Sequence, residues 1–202
     1  MKAVAIGAFA LLSVLVLGAF ALVALVVLAA GGAGSASAAI VTSNPSEEAV
    51  ADIPPLMLSL FVNEATQCHG LPWTVMAGIS KVESDHGRFG GAVLQPDGTI
   101  RPPIIGIALD GTNGTARIPD TDGGRWDFDP VWDRAVGPFQ FIPSSWRIFG
   151  GDGNNDGIAD PNNVYDAIGA MRRHLCPDGQ IADIEAAIFS YCLLYTSDAA
   201  DE

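Results

Sequence analysis

Basic residues are scarce in this sequence. Ten Lys and Arg stand against 23 Asp and Glu, which gives a formal net charge of −13. Proteins that bind nucleic acid neutralise backbone phosphates with clustered Lys and Arg, and here the few basic residues are scattered. The composition therefore argues against nucleic acid as a partner.

Sustained alternation of apolar and polar residues, the pattern of a half-buried strand, is also missing. Apolar residues recur instead at helical spacing, in segments that glycine-rich loops separate. This spacing predicts helices over 54–66, from 72 to before 87, from 143 through 146, over 164–175 and from about 181. The intervening loop, about 90–131, is long enough to suggest a functional role. The sequence thus predicts a mainly α domain.

Charge is absent from residues 3–30. This run exceeds the roughly 7–15 apolar residues of a signal peptide and reaches the about 20 that span a membrane. We predict that residues 1–39 form a signal anchor that tethers the protein to the membrane. A cleavable signal peptide is the alternative, because Ala36–Ala38 resembles an A-x-A cleavage site. Either an anchor or a signal peptide places the rest of the chain outside the cytoplasm. We predict that this part consists of a linker (40–53) and one folded domain (54–191).

Residues 192–202 resemble the translation of a transposase adapter used in sequencing libraries. We predict a non-native tail, with an ordinary polar tail as the alternative, and the domain is then truncated at Tyr191. Only two cysteines, Cys68 and Cys176, remain once Cys192 is set aside. An even pair in an oxidising compartment favours a disulfide, and two buried thiols are the alternative.

Glu83 is the first candidate for chemistry. It lies four residues after Ile79 and seven after Met76, so it projects from the apolar face of its predicted helix. Burial raises the pKa of a carboxyl group, and a carboxyl that stays protonated near neutral pH serves a glycosidase as general acid. The alternative is an ordinary glutamate near a helix end, solvated or paired with Lys81.

Two segments resemble a known family. Residues 79–87 (ISKVESDHG) look like the catalytic Glu-Ser segment of lytic transglycosylases with a lysozyme-like fold. Residues 135–146 (AVGPFQFIPSSW) resemble the A-x-G-x-x-Q-F-x-P-S-S signature of the membrane-bound lytic transglycosylase B type. Residues 182–191 resemble the helix that ends in the family's Tyr-Asn pair, and 120–124 resemble actinobacterial members. The resemblance covers about 54–191.

The resemblance implies that Glu83 acts alone on peptidoglycan glycan strands. It would cleave the bond between N-acetylmuramic acid and N-acetylglucosamine, first as general acid and then as base, and leave a 1,6-anhydro end. Substrate-binding roles carry over to Ser84, Gln140, Phe141 and Tyr191, with core packing as the alternative for Phe141, while Cys192 stands where the family has Asn. No cofactor is implied for catalysis. We expect a monomer in the cell envelope, membrane-anchored or secreted.

A second motif, Asp152 to Asp160, matches D-x-[DN]-x-[DN]-G, the start of a calcium loop. The predicted ligands of a structural Ca²⁺ follow from positions one, three, five, seven, nine and twelve: Asp152, Asn154, Asp156, the carbonyl of Ile158, Asp160 and Asn163. The resemblance supports this interpretation, because the transglycosylase B type has a calcium loop at this place. A cluster of turn-forming residues without an ion is the alternative.

Two other functions remain open at this point. A lysozyme-like muramidase would need a second carboxyl group about 5–9.5 Å from Glu83, and Asp85, Asp127, Asp129 and Asp133 are candidates. A non-catalytic, calcium-stabilised wall-binding module is the alternative from another class.

Overall fold

The structure is a computed structural model that describes residues 44–193. Within this range the protein is mainly α, as predicted. Its six helices are α1 (Glu47–Asp52), α2 (Pro55–Ala65), α3 (Trp73–Ser84), α4 (Pro143–Phe149), α5 (Val164–Leu175) and α6 (Ile184–Leu193). The predicted anchor, residues 1–39, lies outside the described residues, as do 194–202. No helix within 44–193 is both long and apolar enough to cross a membrane.

The five predicted helices are confirmed as α2 to α6, with ends that shift by a few residues. Pro55 and Pro143 occupy the first turns of α2 and α4, where the missing N–H costs no hydrogen bond. The helix α5 has the predicted bounds and buries Val164, Ile168, Met171 and Leu175 on one face. The apolar spacing was therefore a sufficient guide to these helices.

The helix α1 was not predicted, because residues 40–53 were interpreted as a linker. The side chain of Ser46 caps its N-terminus by accepting a hydrogen bond from the Ala49 amide at 3.3 Å. Glu47 and Glu48 stand in the first turn, where carboxylates favour the helix dipole. Ile53, which follows the helix, is buried in the core. The linker prediction is thus wrong for residues 47–53.

Four short strands form two small sheets in the part of the chain between α3 and α4. β1 (Val93–Leu94) pairs antiparallel with β2 (Ile100–Arg101), and β3 (Ile105–Ala108) pairs antiparallel with β4 (Arg134–Val136). Strands of two to four residues are too short to show alternation, so the sequence pattern missed them. The second sheet positions the turn that follows β4.

The core lies where α2, α3 and α5 pack together. Its fully buried residues include Phe61 from α2, Met76 from α3 and Ile168 from α5. A disulfide joins Cys68, just after α2, to Cys176 at the end of α5, across 108 residues of sequence. The predicted disulfide is confirmed, and it covalently links α2 to α5, which both pack against α3.

Candidate active site

Glu83 lies in the last turn of α3. Met76 and Ile79, on the same face of the helix, are buried, whereas the adjacent Val82 is 47% exposed. The helix ends directly after Ser84, because Asp85 adopts the left-handed conformation with φ of 53°. The fold therefore places Glu83 where the buried face of α3 reaches the protein surface.

Glu83 is half-buried. Loss of hydration raises its pKa to about 8, and no charged neighbour adds to this shift. Nor does the carboxyl form a hydrogen bond or ion pair with any residue in the described range 44–193. At neutral pH the group is thus mostly protonated and free to donate its proton.

Ser84 is buried and ties α3 to a distant turn. Its hydroxyl donates to the carbonyl oxygen of Pro138 at 2.6 Å and accepts a hydrogen bond from the Gly87 amide at 2.9 Å. Both hydrogen bonds are internal, and only 2% of the residue is exposed. The predicted substrate contact of Ser84 is therefore wrong for this structure, and the residue positions the end of α3 instead.

The turn that Ser84 holds carries Gln140. A side chain at Gly137 is impossible, because its Cβ would lie 2.0 Å from the carbonyl oxygen of Pro161. Gln140 itself adopts a left-handed conformation with φ of 52°. Its amide nitrogen donates to the Gly137 carbonyl at 2.8 Å, and its amide oxygen lies against Gly106 of β3. The side chain is half-buried.

Phe141 and Tyr191 lie in the core and not on a groove, with exposures of 1% and 0%. Their rings meet edge to face, with centroids 5.8 Å apart, and Phe141 makes a similar contact with Trp146 at 5.5 Å. The Tyr191 hydroxyl donates to the Phe139 carbonyl at 2.7 Å. The predicted sugar contacts of both residues are wrong for this structure, because these aromatic contacts enclose them. Through the hydrogen bond of Tyr191 to Phe139, they support the turn that carries Gln140.

The Cys192 thiol lies within electrostatic range of the Glu83 carboxyl. The pKa of the Cys192 thiol is raised to about 11, first by burial and then by the negative charge of Glu83. The thiol is not in a disulfide. Position 192, where the family resemblance expects Asn, thus forms part of the surroundings of the candidate general acid.

Each of the four aspartates considered as a second carboxyl group for a muramidase forms hydrogen bonds or ion pairs that stabilise a loop. Asp85 pairs with Arg88 and Lys81, and these hydrogen bonds lower its pKa. Asp129 pairs with Arg134 at 2.8 Å. Asp127 accepts the amides of Asp129 and Arg134. Asp133 accepts both the amide and the hydroxyl of Thr121 at 2.8 Å.

In the predicted calcium loop, side-chain oxygens accept hydrogen bonds from other residues of the same loop. Asp152 accepts the amides of Asp156 at 3.1 Å and Gly157 at 2.8 Å. Asp156 accepts the Ile158 amide at 2.8 Å and the Asn154 side-chain amide at 2.9 Å. Carboxylate, amide and carbonyl oxygens are the donors that Ca²⁺ prefers. The residues present therefore suit a hard cation.

Asn163 does not close this loop, although it was predicted as a ligand. Its amide oxygen accepts the Tyr165 amide at 3.0 Å as the N-cap of α5, and its amide nitrogen donates to the Asp97 carbonyl. Asp160 accepts the Asn162 amide at 2.8 Å, within its own turn.

Asp166 closes the loop instead, and the sequence motif does not include it. It is fully buried and accepts the amides of Gly153 at 2.6 Å and Asp160 at 2.8 Å. Burial raises its pKa. The feature that could have indicated this role is an acidic residue among the buried residues in the first turn of α5.

A further group of carboxylates, Asp120, Asp122 and Asp133, has ligand atoms that all lie within 4.8 Å of one another. Asp120 accepts the amides of Asp122, Gly123 and Gly124. These hydrogen bonds shape the loop between the two strands of the second sheet.

The hydrogen bond from Ser84 to Pro138 thus ties the end of α3 that carries Glu83 to the turn that carries Gln140, and the charge of Glu83 acts on the Cys192 thiol. Comparison with protein-family models, with curated proteins and with solved structures finds no match to this chain. A functional proposal therefore rests on these structural features.

Proposed function

We propose that this protein is a peptidoglycan lytic transglycosylase with a lysozyme-like fold and Glu83 as its acid and base. The observation that carries the proposal is the Glu83 carboxyl, which sits at the surface end of α3 but loses enough hydration to raise its pKa to about 8. The group is thus protonated when a glycan arrives at neutral pH, which is the state that general acid catalysis needs.

The chemistry uses one carboxyl group twice. Glu83 gives its proton to the glycosidic oxygen between N-acetylmuramic acid and N-acetylglucosamine while the bond from that oxygen to C1 breaks. The Glu83 carboxylate then removes the proton from the C6 hydroxyl of the muramic acid. The C6 oxygen closes onto C1 as a 1,6-anhydro ring, and Glu83 is protonated again. No water is consumed.

The surroundings of Glu83 favour this route over hydrolysis by a carboxylate pair. A second carboxylate close by would shift the Glu83 pKa through its charge, but burial alone accounts for the shift. Asp85 is held by Arg88 and Lys81, and Asp129 by Arg134. A single acid supports a reaction in which the substrate supplies its own nucleophile.

Gln140 is the proposed substrate contact beside Glu83. Its amide nitrogen is bound to Gly137, so the amide oxygen remains as the acceptor for a sugar hydroxyl or acetamido N–H. Ser84 fixes the distance between the Gln140 turn and α3 through its hydrogen bond to Pro138. Ser84 is thus a positioning residue.

The loop before α5 is the proposed site of a structural Ca²⁺. Asp152, Asn154, Asp156 and the Ile158 carbonyl would hold the ion, with Asp166 in place of Asn163. A bound Ca²⁺ would neutralise the facing carboxylates and fix the connection between α4 and α5. It has no part in the bond cleavage.

A membrane anchor or secretion signal in residues 1–39 would place the domain in the cell envelope, where its polymer substrate lies. The confirmed disulfide suits that compartment. We propose that the protein acts there as a monomer.

Digestion of purified bacterial sacculi tests the function. The full chain should release muropeptides with 1,6-anhydro ends, detected by mass spectrometry, and Glu83→Gln should release none. Glu185→Gln, at an exposed site in the first turn of α6, is the matched control and should behave as the parent. Products with ordinary reducing ends would instead indicate a muramidase. Binding to sacculi without release, unchanged by Glu83→Gln, would indicate a wall-binding module.

A further inference from the structure

A cavity of about 470 Å³ lies apart from the residues assigned to catalysis. Three segments form its walls: the loop at 121–126, the helix α4 and the loop at 157–159. Neither Glu83 nor Gln140 lines it. The cavity is thus a separate feature of the surface, built partly on the loop that would hold Ca²⁺.

Two arginines, Arg125 and Arg147, are among the residues that line this cavity. Neither has a carboxylate within ion-pair distance among residues 44–193, in a protein with 23 acidic residues. Asp122 lines the same cavity but turns its oxygens to the backbone amides of Arg125 and Trp126, at 3.1 and 3.0 Å. Two arginines without a carboxylate partner in the described part of the chain therefore line one cavity.

Trp126 orients one of these groups. The Arg125 guanidinium carbon lies 4.6 Å from the centre of the Trp126 ring. A guanidinium on an aromatic ring keeps the N–H groups at its edge available for a carboxylate. Pro143, Ile158 and Ala159 supply apolar wall beside the charges. The cavity thus offers charge for a carboxylate and contact for small apolar groups.

We infer that this cavity binds the peptide branch of the cell-wall polymer, through a free carboxylate of a short alanine-containing peptide. The inference rests on the proposed function, because the glycan that Glu83 cleaves carries such peptides on its muramic acid. Arg125 and Arg147 hold the carboxylate, and the apolar wall receives the alanine methyl. The branch then helps to hold the strand while Glu83 acts.

Kinetics on two forms of one substrate test the inference. Glycan strands with intact peptides and the same strands stripped by an amidase are given to the full chain and to Arg125→Gln/Arg147→Gln. With peptides present, the double variant should raise KM by about 10- to 100-fold, as expected for lost charge-assisted hydrogen bonds, while kcat stays within about twofold. On stripped strands the variant should match the parent. Equal KM for parent and variant on peptide-bearing strands, or an equal rise on both substrates, would overturn the inference.

Arg117→Gln is the matched control, because Arg117 is also exposed and stacks on an indole, that of Trp132 at 5.5 Å, but does not line the cavity. It should behave as the parent on both substrates.

A calorimetric titration separates this inference from the proposed function. The probe is N-acetylmuramoyl-L-alanyl-D-glutamate, added to the full chain in the absence of polymer. Binding by the parent that Arg125→Gln/Arg147→Gln weakens at least tenfold supports the subsite, whether or not the protein cleaves glycan. No binding by the parent, or binding of glycerol phosphate in place of the muropeptide, overturns it.

Discussion

The Ser84 hydroxyl donates a 2.6 Å hydrogen bond to the carbonyl oxygen of Pro138, 54 residues further along the chain. This bond joins the end of the helix that carries Glu83 to the turn that carries Gln140. Because the bond is buried, water cannot replace it when the hydroxyl is lost. The Ser84 hydroxyl therefore helps to set the position of the proposed acid relative to the turn that carries Gln140.

Replacing Ser84 by Ala should lower both stability and turnover. The Pro138 carbonyl and the Gly87 amide would each lose a partner, at a cost of about 1–3 kcal/mol in the free energy of unfolding, or roughly 3–10 °C in Tm. The rate kcat should fall more than KM rises, because the acid is displaced and the substrate contacts remain. Thermal unfolding and steady-state kinetics measure the two effects. Ser59→Ala, at an exposed site in α2, is the control, and equal values for both variants would contradict the positioning role.

The pH dependence of activity should report the pKa of Glu83. The proton that Glu83 donates is present below a pH of about 8 and absent above it. We therefore expect kcat/KM to fall about tenfold per pH unit above pH 8. Release of anhydro-muropeptides between pH 5 and about 10 measures this limb. Loss of activity already above pH 5 would show that the carboxyl is an ordinary, hydrated one.

The same carboxyl should destabilise the fold at higher pH. Its pKa is about 8 in the folded protein, whereas a hydrated glutamate in the unfolded chain has the ordinary pKa of 4.5. The contribution of this group to the free energy of unfolding is thus greatest below pH 4.5 and is lost as pH rises to about 8, because the unfolded chain releases the proton that the folded state retains. Glu83→Gln, which cannot ionise, should therefore be more stable than the parent at pH 8 by roughly 1–3 kcal/mol. Denaturant unfolding at pH 4 and pH 8 tests this, and an equal difference at both values would exclude the buried carboxyl as its cause.

Calcium should stabilise the protein through the loop before α5. At tenfold excess over its Kd, Ca²⁺ should raise Tm by about 3–6 °C, and Mg²⁺ should do so less because it releases its water ligands reluctantly. Asp152→Asn/Asp156→Asn should remove the effect, whereas Asp178→Asn, at an exposed turn, should retain it. A Tm that is the same in Ca²⁺ and in chelator would count against the ion site.

The disulfide between Cys68 and Cys176 should contribute to stability. Its removal by Cys68→Ala/Cys176→Ala should lower the free energy of unfolding by about 2–5 kcal/mol, because the unfolded chain then gains the entropy of an open loop. Thermal unfolding of the variant, and of the parent with and without reductant, measures the loss. A reductant effect that persists in the double variant would assign the change to another cause.

Much of the helical fold was predictable because apolar spacing alone determines which face of a helix is buried. The bounds of α5 and the position of Glu83 on α3 follow from this rule. The helix α1 was missed because none of its own residues is buried, and its stability comes from the Ser46 cap and the buried Ile53. The strands were missed because two residues, such as Val93 and Leu94, cannot display a period.

The candidate site was predicted less completely, because a motif identifies residues but not the direction of their side chains. Gln140 and Phe141 are adjacent in the motif, yet the left-handed backbone at Gln140 leaves its amide beside the surface while Phe141 turns into the core. Asp166 lay outside the twelve positions of the calcium motif and became apparent only through its hydrogen bonds to Gly153 and Asp160.

The bond between Cys68 and Cys176 also turns most of the domain into a covalent ring. The ring contains the helix of Glu83, both small sheets and the turn of Gln140. A single protease cut in the glycine-rich region between 90 and 131 opens this ring but leaves the two pieces attached to each other. The halves of the proposed catalytic apparatus therefore stay in one molecule after nicking, and they separate only once a reductant and a denaturant act together.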